Sequence, residues 1–353
     1  MSLSRTAYSL IIGVGSVTIL IFTKQLLIPF VLALLVWFLI RGIKKNGLEK
    51  VGFIRRFFPH WLQTTISALI IFGIVGAIVN MLIVNIELLS ESLPTYEKNV
   101  KHIQELLDSN LKIDIAGMIS EFIGDFDFSG ILAAVFSSLT EIFGNAFTIV
   151  LYTLFLLLED VMFPNKLKAL YKDPKKYANA NTILLKIEKS IGSYLYLKTL
   201  ISLLTGFLSF IALWAIGVEA PVFWAFLIFL LNYIPTIGSL IATSFPSLFT
   251  LLQFGEWGPF FLVLGIVGTI QLIIGNIVEP KAMGNSLNIS SLVVIIALSV
   301  WGVMWGITGM ILSVPITVII VIICAEFEKT RPIAILLSEK GSLKNFDEDP
   351  LED

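Results

Sequence analysis

The chain has 353 residues, of which 56% are hydrophobic and only 14% charged, against roughly 25% charged residues in soluble proteins. That balance, with a mean hydropathy of +0.91, excludes a soluble domain, and a formal net charge of −2 gives no reason to expect a nucleic-acid partner. Cys324 is the single cysteine and His60 and His102 are the two histidines, so an intrachain disulfide is excluded, a His/Cys zinc site has almost no ligands to draw on, and neither a metal nor a cofactor is expected.

In chain order, Arg5 precedes an apolar run that lacks a small-x-small cleavage site, so residues 7–23 read as a retained first span. Span 2, about 26–41, follows after Lys24 and Gln25 as a tight hairpin. The 41–61 loop carries Arg41, Lys44, Lys45, Lys50, Arg55 and Arg56. Span 3 lies within 62–89 and closes an N-terminal unit of residues 1–89. Residues 90–130 form the longest polar region, with eight acids and three lysines. In it Leu93, Tyr96, Val100, Ile103 and Leu107, and then Ile115, Met118, Phe122 and Phe126, recur at helical spacing and predict two amphipathic helices. Span 4 falls within 131–158. Residues 159–198 are rich in lysine, and Asp173-Pro174 there is a helix cap followed by proline at the first helical position. Ala180, Leu184, Ile187, Ile191 and Leu195 then form one apolar face of a helix suited to the cytoplasmic membrane surface. Basic loops stay in the cytoplasm. The 41–61 and 159–190 loops and both termini are therefore expected inside, with 90–130 outside.

Residues 200–325 are 126 residues holding four charged side chains, Glu219, Glu256, Glu279 and Lys281. They form the body of a transmembrane core, 199–325, with segments at about 199–217, 221–252, 258–279 and 288–325. The second and fourth are too long for a straight span of roughly 20 residues, so they either kink or fold as re-entrant pairs. Counting each once gives an all-α integral membrane protein of about eight hydrophobic segments, some broken or re-entrant. Residues 326–353 form a cytoplasmic tail ending in the acidic run Asp347 to Asp353.

No GxxxxGK[ST] phosphate loop, HExxH pair or GxSxG elbow occurs, and paired buried carboxylates are missing. An enzyme is not expected. What remains is gradient-driven movement of a solute, or a scaffold or receptor that transports nothing. Polar residues at membrane depth mark the candidate site. Asn232, Tyr233 and Thr236 flank Pro235, either lining a cavity or repairing the proline gap. Gln271, Gly275 and Glu279 lie four apart, with Asn276 between and Lys281 two residues on. They form a site for a cation or polar solute, or else Glu279 and Lys281 pair and end the helix. Glu141 and Asn145 are secondary candidates on span 4.

The stretches NYIPTIGS (232–239), EPKAMGNSLNISSLVVIIALSVWG (279–302), GITGMILSVPITVII (306–320) and FLLLED (155–160) resemble the autoinducer-2 exporter family of bacterial permeases. The order of elements fits from end to end, and Pro235, Gly238, Pro246, Pro280, Gly284 and Pro315 match the family's punctuation. Ser239 stands where proline is frequent, and Asn288-Ile289-Ser290 replaces a more usual His-Pro ending. The resemblance implies a multi-pass protein of the bacterial inner membrane, a homo-oligomer in the lipid bilayer. Relatives are described as exporters of a small furanone-type signal or as sodium(lithium)/proton antiporters. The implied partner is thus a small polar solute or a monovalent cation and proton.

Overall fold

The computed structural model describes residues 3–46, 60–92, 95–96, 98–99, 102–103, 144–283, 288–341 and 343. Helices account for nearly all of them: α1 Leu3–Phe22, α2 Lys24–Asn46, α3 His60–Glu91, α4 Ala146–Leu170, α5 Pro174–Ile216, α6 Pro221–Leu231, α7 Ile237–Phe254, α8 Trp257–Ile273, a π-helical turn Ile274–Val278, α9 Glu279–Met283, α10 Ser291–Glu326 and α11 Arg331–Leu337. Six of the described helices are long and apolar enough to cross a membrane, and shorter apolar helices accompany them. Large apolar side chains such as Ile12, Phe155, Phe261, Leu272 and Val303 are exposed, as lipid-facing positions must be. The all-α membrane architecture expected from composition is the one that forms.

The described residues divide into two units, one from 1–72, 144–196 and 285–353, the other from 73–143 and 197–284. In the first unit several helices are tied together through charge. Arg41 holds Asp160 at 3.1 Å and Glu188 at 3.0 Å, with its guanidinium over the Trp37 ring. Lys186 holds Glu326 at 2.8 Å. Asp173 caps α5, accepting the Lys175 amide at 2.9 Å, with Pro174 at the first helical position. Ile191 and Leu195 are buried, but Leu184 is exposed, so the apolar face of α5 strengthens toward its middle. Thr23 alone joins α1 to α2, and the carbonyl of Leu20 beside that break takes a hydrogen bond from Trp305 Nε1 at 3.1 Å.

Helix α10 is two arms. Gly306 has φ 63 and ψ −144 in its middle, and the chain reverses there. Thirty-six residues in one straight helix would span about 54 Å. Yet the Ser290 amide at its start bonds the Leu337 carbonyl at 3.0 Å, only eleven residues past its end, a distance a straight rod could not close. The arms meet so closely that a Cβ on Gly309 would strike the Trp301 carbonyl. The segment is a helical hairpin that folds back at Gly306.

Segment 221–252 is a second hairpin, in the other unit. Gln253, at the end of α7, donates to the Gly217 carbonyl at 2.9 Å and accepts the Glu219 amide at 2.8 Å. The start of α6 and the end of α7 therefore lie together. Tyr96 and Asn99 of the 90–130 stretch dock on this base. Asn99 Nδ2 donates to the Leu252 and Gln253 carbonyls, both at 2.8 Å, satisfying two carbonyls that the end of α7 leaves free. Tyr96 donates to Glu219 at 2.5 Å and sets its ring edge-on to Phe249. Tyr96 and Ile103 are buried, as the periodicity requires. The second predicted outer helix, Glu141, the loop residues Lys50, Arg55 and Arg56, and the acidic run 347–353 lie outside the described residues.

Burial, then the hydrogen bond to Glu219, pushes the Tyr96 phenol well above its ordinary range. A raised phenol keeps its full contribution below the unfolded value of about 10 and loses it only as the pH climbs through the folded value. Tyr96→Phe should thus cost about 1.5–3 kcal/mol, as for a hydrogen bond to a charged group, by an amount that stays constant between pH 6 and 9. Thermal melting across that range checks it; a cost that varies there would mean another group controls the contact. Two hairpins also set a labelling pattern. In a Cys324→Ser background, Thr95→Cys and Glu256→Cys should react with an impermeant maleimide from the same side, and Lys172→Cys from the opposite one. Glu256→Cys reacting together with Lys172→Cys would show that 221–252 crosses the membrane.

Candidate functional site

The tip of the 221–252 hairpin holds the residues picked out around Pro235. Helix α6 is eleven residues long, so its end lies about 16 Å from the hairpin base. It closes with shortened bonds from Tyr233 to Leu230 and from Ile234 to Leu231. Pro235 cannot donate to continue the helix, and the Ile237 amide reaches the Pro235 carbonyl at 2.6 Å. That bond closes a γ-turn on Thr236, whose φ 60 and ψ −60 belong to the strained form of that turn. Gly238 sits where a Cβ would land on the Leu231 carbonyl.

Asn232 and Tyr233 are both tied to α5. Asn232 is buried and donates to Ser202 at 3.0 Å. The Tyr233 hydroxyl shares a 2.6 Å bond with Thr199. Thr236 is exposed at the turn, where its carbonyl accepts the Ser239 hydroxyl at 2.9 Å. The side of α5 that receives them is polar and dry. Lys198, Ser202, Thr205 and Ser209, spaced four, three and four apart, are exposed by 3%, 0%, 0% and 0%.

Helix α8 brings the other candidates. It runs back along α7, and a Cβ on Gly268 would sit 3.6 Å from Thr243 Cγ2. Gln271 is buried, and its Nε2 has no hydrogen-bond partner among the described residues. The π turn then decides where Glu279 points. In an unbroken α-helix a residue eight positions on would lie roughly 80° around from Gln271. A π turn inserts one residue, a lag of about 100°, and returns Glu279 to within about 20° of the Gln271 face. There Glu279 pairs with Lys198.

This pairing gives Glu279 a partner that neither reading named. Its partner is not Lys281, which is exposed, but Lys198 on α5. Gly275 and Asn276 are exposed, and Asn276 donates back to the Leu272 carbonyl at 3.0 Å, so neither joins Gln271 and Glu279. Asn145 lies at the start of α4 in the first unit, its carbonyl accepting the Ile149 amide at 2.9 Å. The site thus gathers Asn232, Tyr233 and Glu279, with Gln271 on α8 facing the same way as Glu279 beyond the π turn, and Pro235 and Thr236 forming the turn of the hairpin. It adds Lys198, Thr199 and Ser202, which sequence reasoning passed over. The signal was available: Lys198 continues the 187, 191, 195 series of the buried face of α5 and is a cation where an apolar residue is due. Among the described residues no cluster of metal-ligating side chains occurs.

The family model described as AI-2E family transporter matches residues 10–329. The AI-2 transport protein TqsA of Escherichia coli K12 is 30% identical over 322 residues, covering 90% of this chain and 91% of its own. A protein of Borreliella burgdorferi, provisionally named a transport protein, is 34% identical over 269 residues, 74% of this chain and 72% of its own. One of Haemophilus influenzae, named in the same provisional way, is 29% identical over 364 residues, covering 98% and 99%.

Proposed function

We propose that this chain, which belongs to the AI-2E transporter family, is a secondary transporter that exports a small polar solute of the AI-2 type through the site at the tip of the 221–252 hairpin. The observation that carries this reading is a partly buried, charge-bearing polar cluster built on an interrupted backbone. Lys198, Glu279, Asn232 and Tyr233 converge where α6 gives way to α7 and α8 gives way to a π turn. Broken helices at membrane depth are tolerated where they line a protein interior or a watered cavity, and transporters place their sites there. The printed name of the Escherichia coli relative supports the AI-2-type solute. A scaffold has no use for an ammonium that must be kept paired inside the bilayer.

A second reading, sodium(lithium)/proton antiport, is favoured by one feature: Glu279 is a carboxylate in a membrane helix that can take up a proton or a cation. Both readings place the protein in the bacterial inner membrane with both termini cytoplasmic, as a homo-oligomer. Flux in proteoliposomes separates them. An AI-2-type furanone loaded inside should leave faster than from protein-free liposomes, and faster still with an imposed pH or sodium gradient. Sodium-dependent proton movement with no furanone flux would install the antiport reading instead. Neither flux would leave a scaffold or receptor.

A further inference from the structure

We propose that Lys198 seats an anionic oxygen of the transported solute, taking it in exchange for Glu279, so that the solute is a small organic anion. This rests on the reading of the hairpin-tip site as a permease site, and it requires an AI-2-type solute to carry an anionic oxygen when it enters that site. An ammonium carries three N–H donors and no acceptor. Lys198 is 3% exposed, is the only buried cationic side chain among the described residues, and makes its one hydrogen bond there to Glu279. Two donors therefore remain in a dry, low-dielectric place, where unspent donors on a charged group are costly. The neighbouring polar groups are already engaged: Thr199 with Tyr233, Ser202 with Asn232. The other charges of 199–283 do not compete. Glu219 is held by Tyr96 at the hairpin base, Glu256 follows the end of α7 on the same base, and Lys281 is exposed.

Glu279 is the half of the pair that can leave. Its side chain is 23% exposed against 4% for Lys198, and it stands beside a π turn, a backbone that already departs from the α-helical ladder. A solute oxygen with a full negative charge can replace it on Lys198 without leaving a buried charge uncompensated. A neutral hydroxyl cannot, because it would strand the ammonium. The site therefore discriminates by charge.

The test is saturable thermal stabilisation of the detergent-solubilised protein by choline lactate and choline phosphate, with choline chloride at matched ionic strength and glycerol as the neutral control. Lactate or phosphate should raise the melting midpoint of the unaltered protein saturably, and glycerol should not. Glu279→Gln should lower the half-saturating concentration at least tenfold, because no carboxylate competes for Lys198. The charge-neutral double variant Lys198→Met, Glu279→Gln should show no saturable shift, and its comparison with the unaltered protein stands even if Glu279→Gln alone fails to fold. A double variant that responds as the unaltered protein does, or the absence of any saturable anion effect in all three, overturns the proposal. Furanone flux is read separately. Lys198-dependent anion binding without it keeps the anion site and removes the AI-2-type export reading; flux without Lys198-dependent binding does the reverse.

Discussion

Glu279→Gln and Lys198→Met, made singly, should each destabilise the protein by about 3–5 kcal/mol, the cost of breaking a buried ion pair from one side. The larger loss should follow Glu279→Gln. That change strands Lys198, whose side chain is 4% exposed, whereas Lys198→Met leaves a carboxylate that is 23% exposed and can turn toward water. Making both changes together removes the charge that either single change leaves alone, so most of the lost stability should return. Partners in contact are expected to couple in this non-additive way. Transport should behave differently. If the pair acts in exchange, the double variant melts near the unaltered protein but has lost its solute flux and its response to a pH gradient. Thermal midpoints and proteoliposome flux on four proteins decide it. Additive stability losses would show that the two side chains do not form one pair, and full flux in the double variant would remove both from the mechanism.

Gly238→Ala should be as damaging, for a steric reason. A Cβ at this position would overlap the Leu231 carbonyl and press on the Leu231 carbonyl carbon and the Ile234 Cβ. Two of those atoms belong to the backbone of the opposite arm and cannot swing aside. Overpacking usually costs 1–3 kcal/mol, about the range expected where side chains can yield; here the γ-turn at Thr236 has to open and the arms have to part. Gly275→Ala supplies the control, since nothing lies within 4 Å of a Cβ there, and it should melt as the unaltered protein does. Equal midpoints for the two variants would mean that the arms do not approach so closely.

Much of this arrangement was legible from residue order, and what was not has identifiable causes. Apolar length, the cap at Asp173, the burial of Tyr96 and Ile103 and the break at Pro235 follow from composition and local spacing. The question of kinked spans or re-entrant pairs was open because hydropathy measures length and not direction. Reversal is fixed by long-range contacts such as Gln253 with Gly217 and Ser290 with Leu337. Glu279 was legible as a carboxylate in an apolar segment, but its partner was not. Lys281 was nearer in sequence, whereas Lys198 is 81 residues away. The ridge of Gln271, Gly275 and Glu279 assumed a regular α-helical pitch, and a π turn has no recognised residue signature that would have warned against it.

The two hairpins carry a consequence for how such a chain can change over generations. The start and the end of each lie together, so each contributes an even number of crossings to the topology. Losing or duplicating one whole hairpin would leave every other segment with its orientation intact. Losing a single through-going helix would invert everything downstream and set the basic loops against the charge rule that orients them. The hairpins are therefore the parts of this protein that insertion and deletion can rework most freely while the remaining segments keep their orientation.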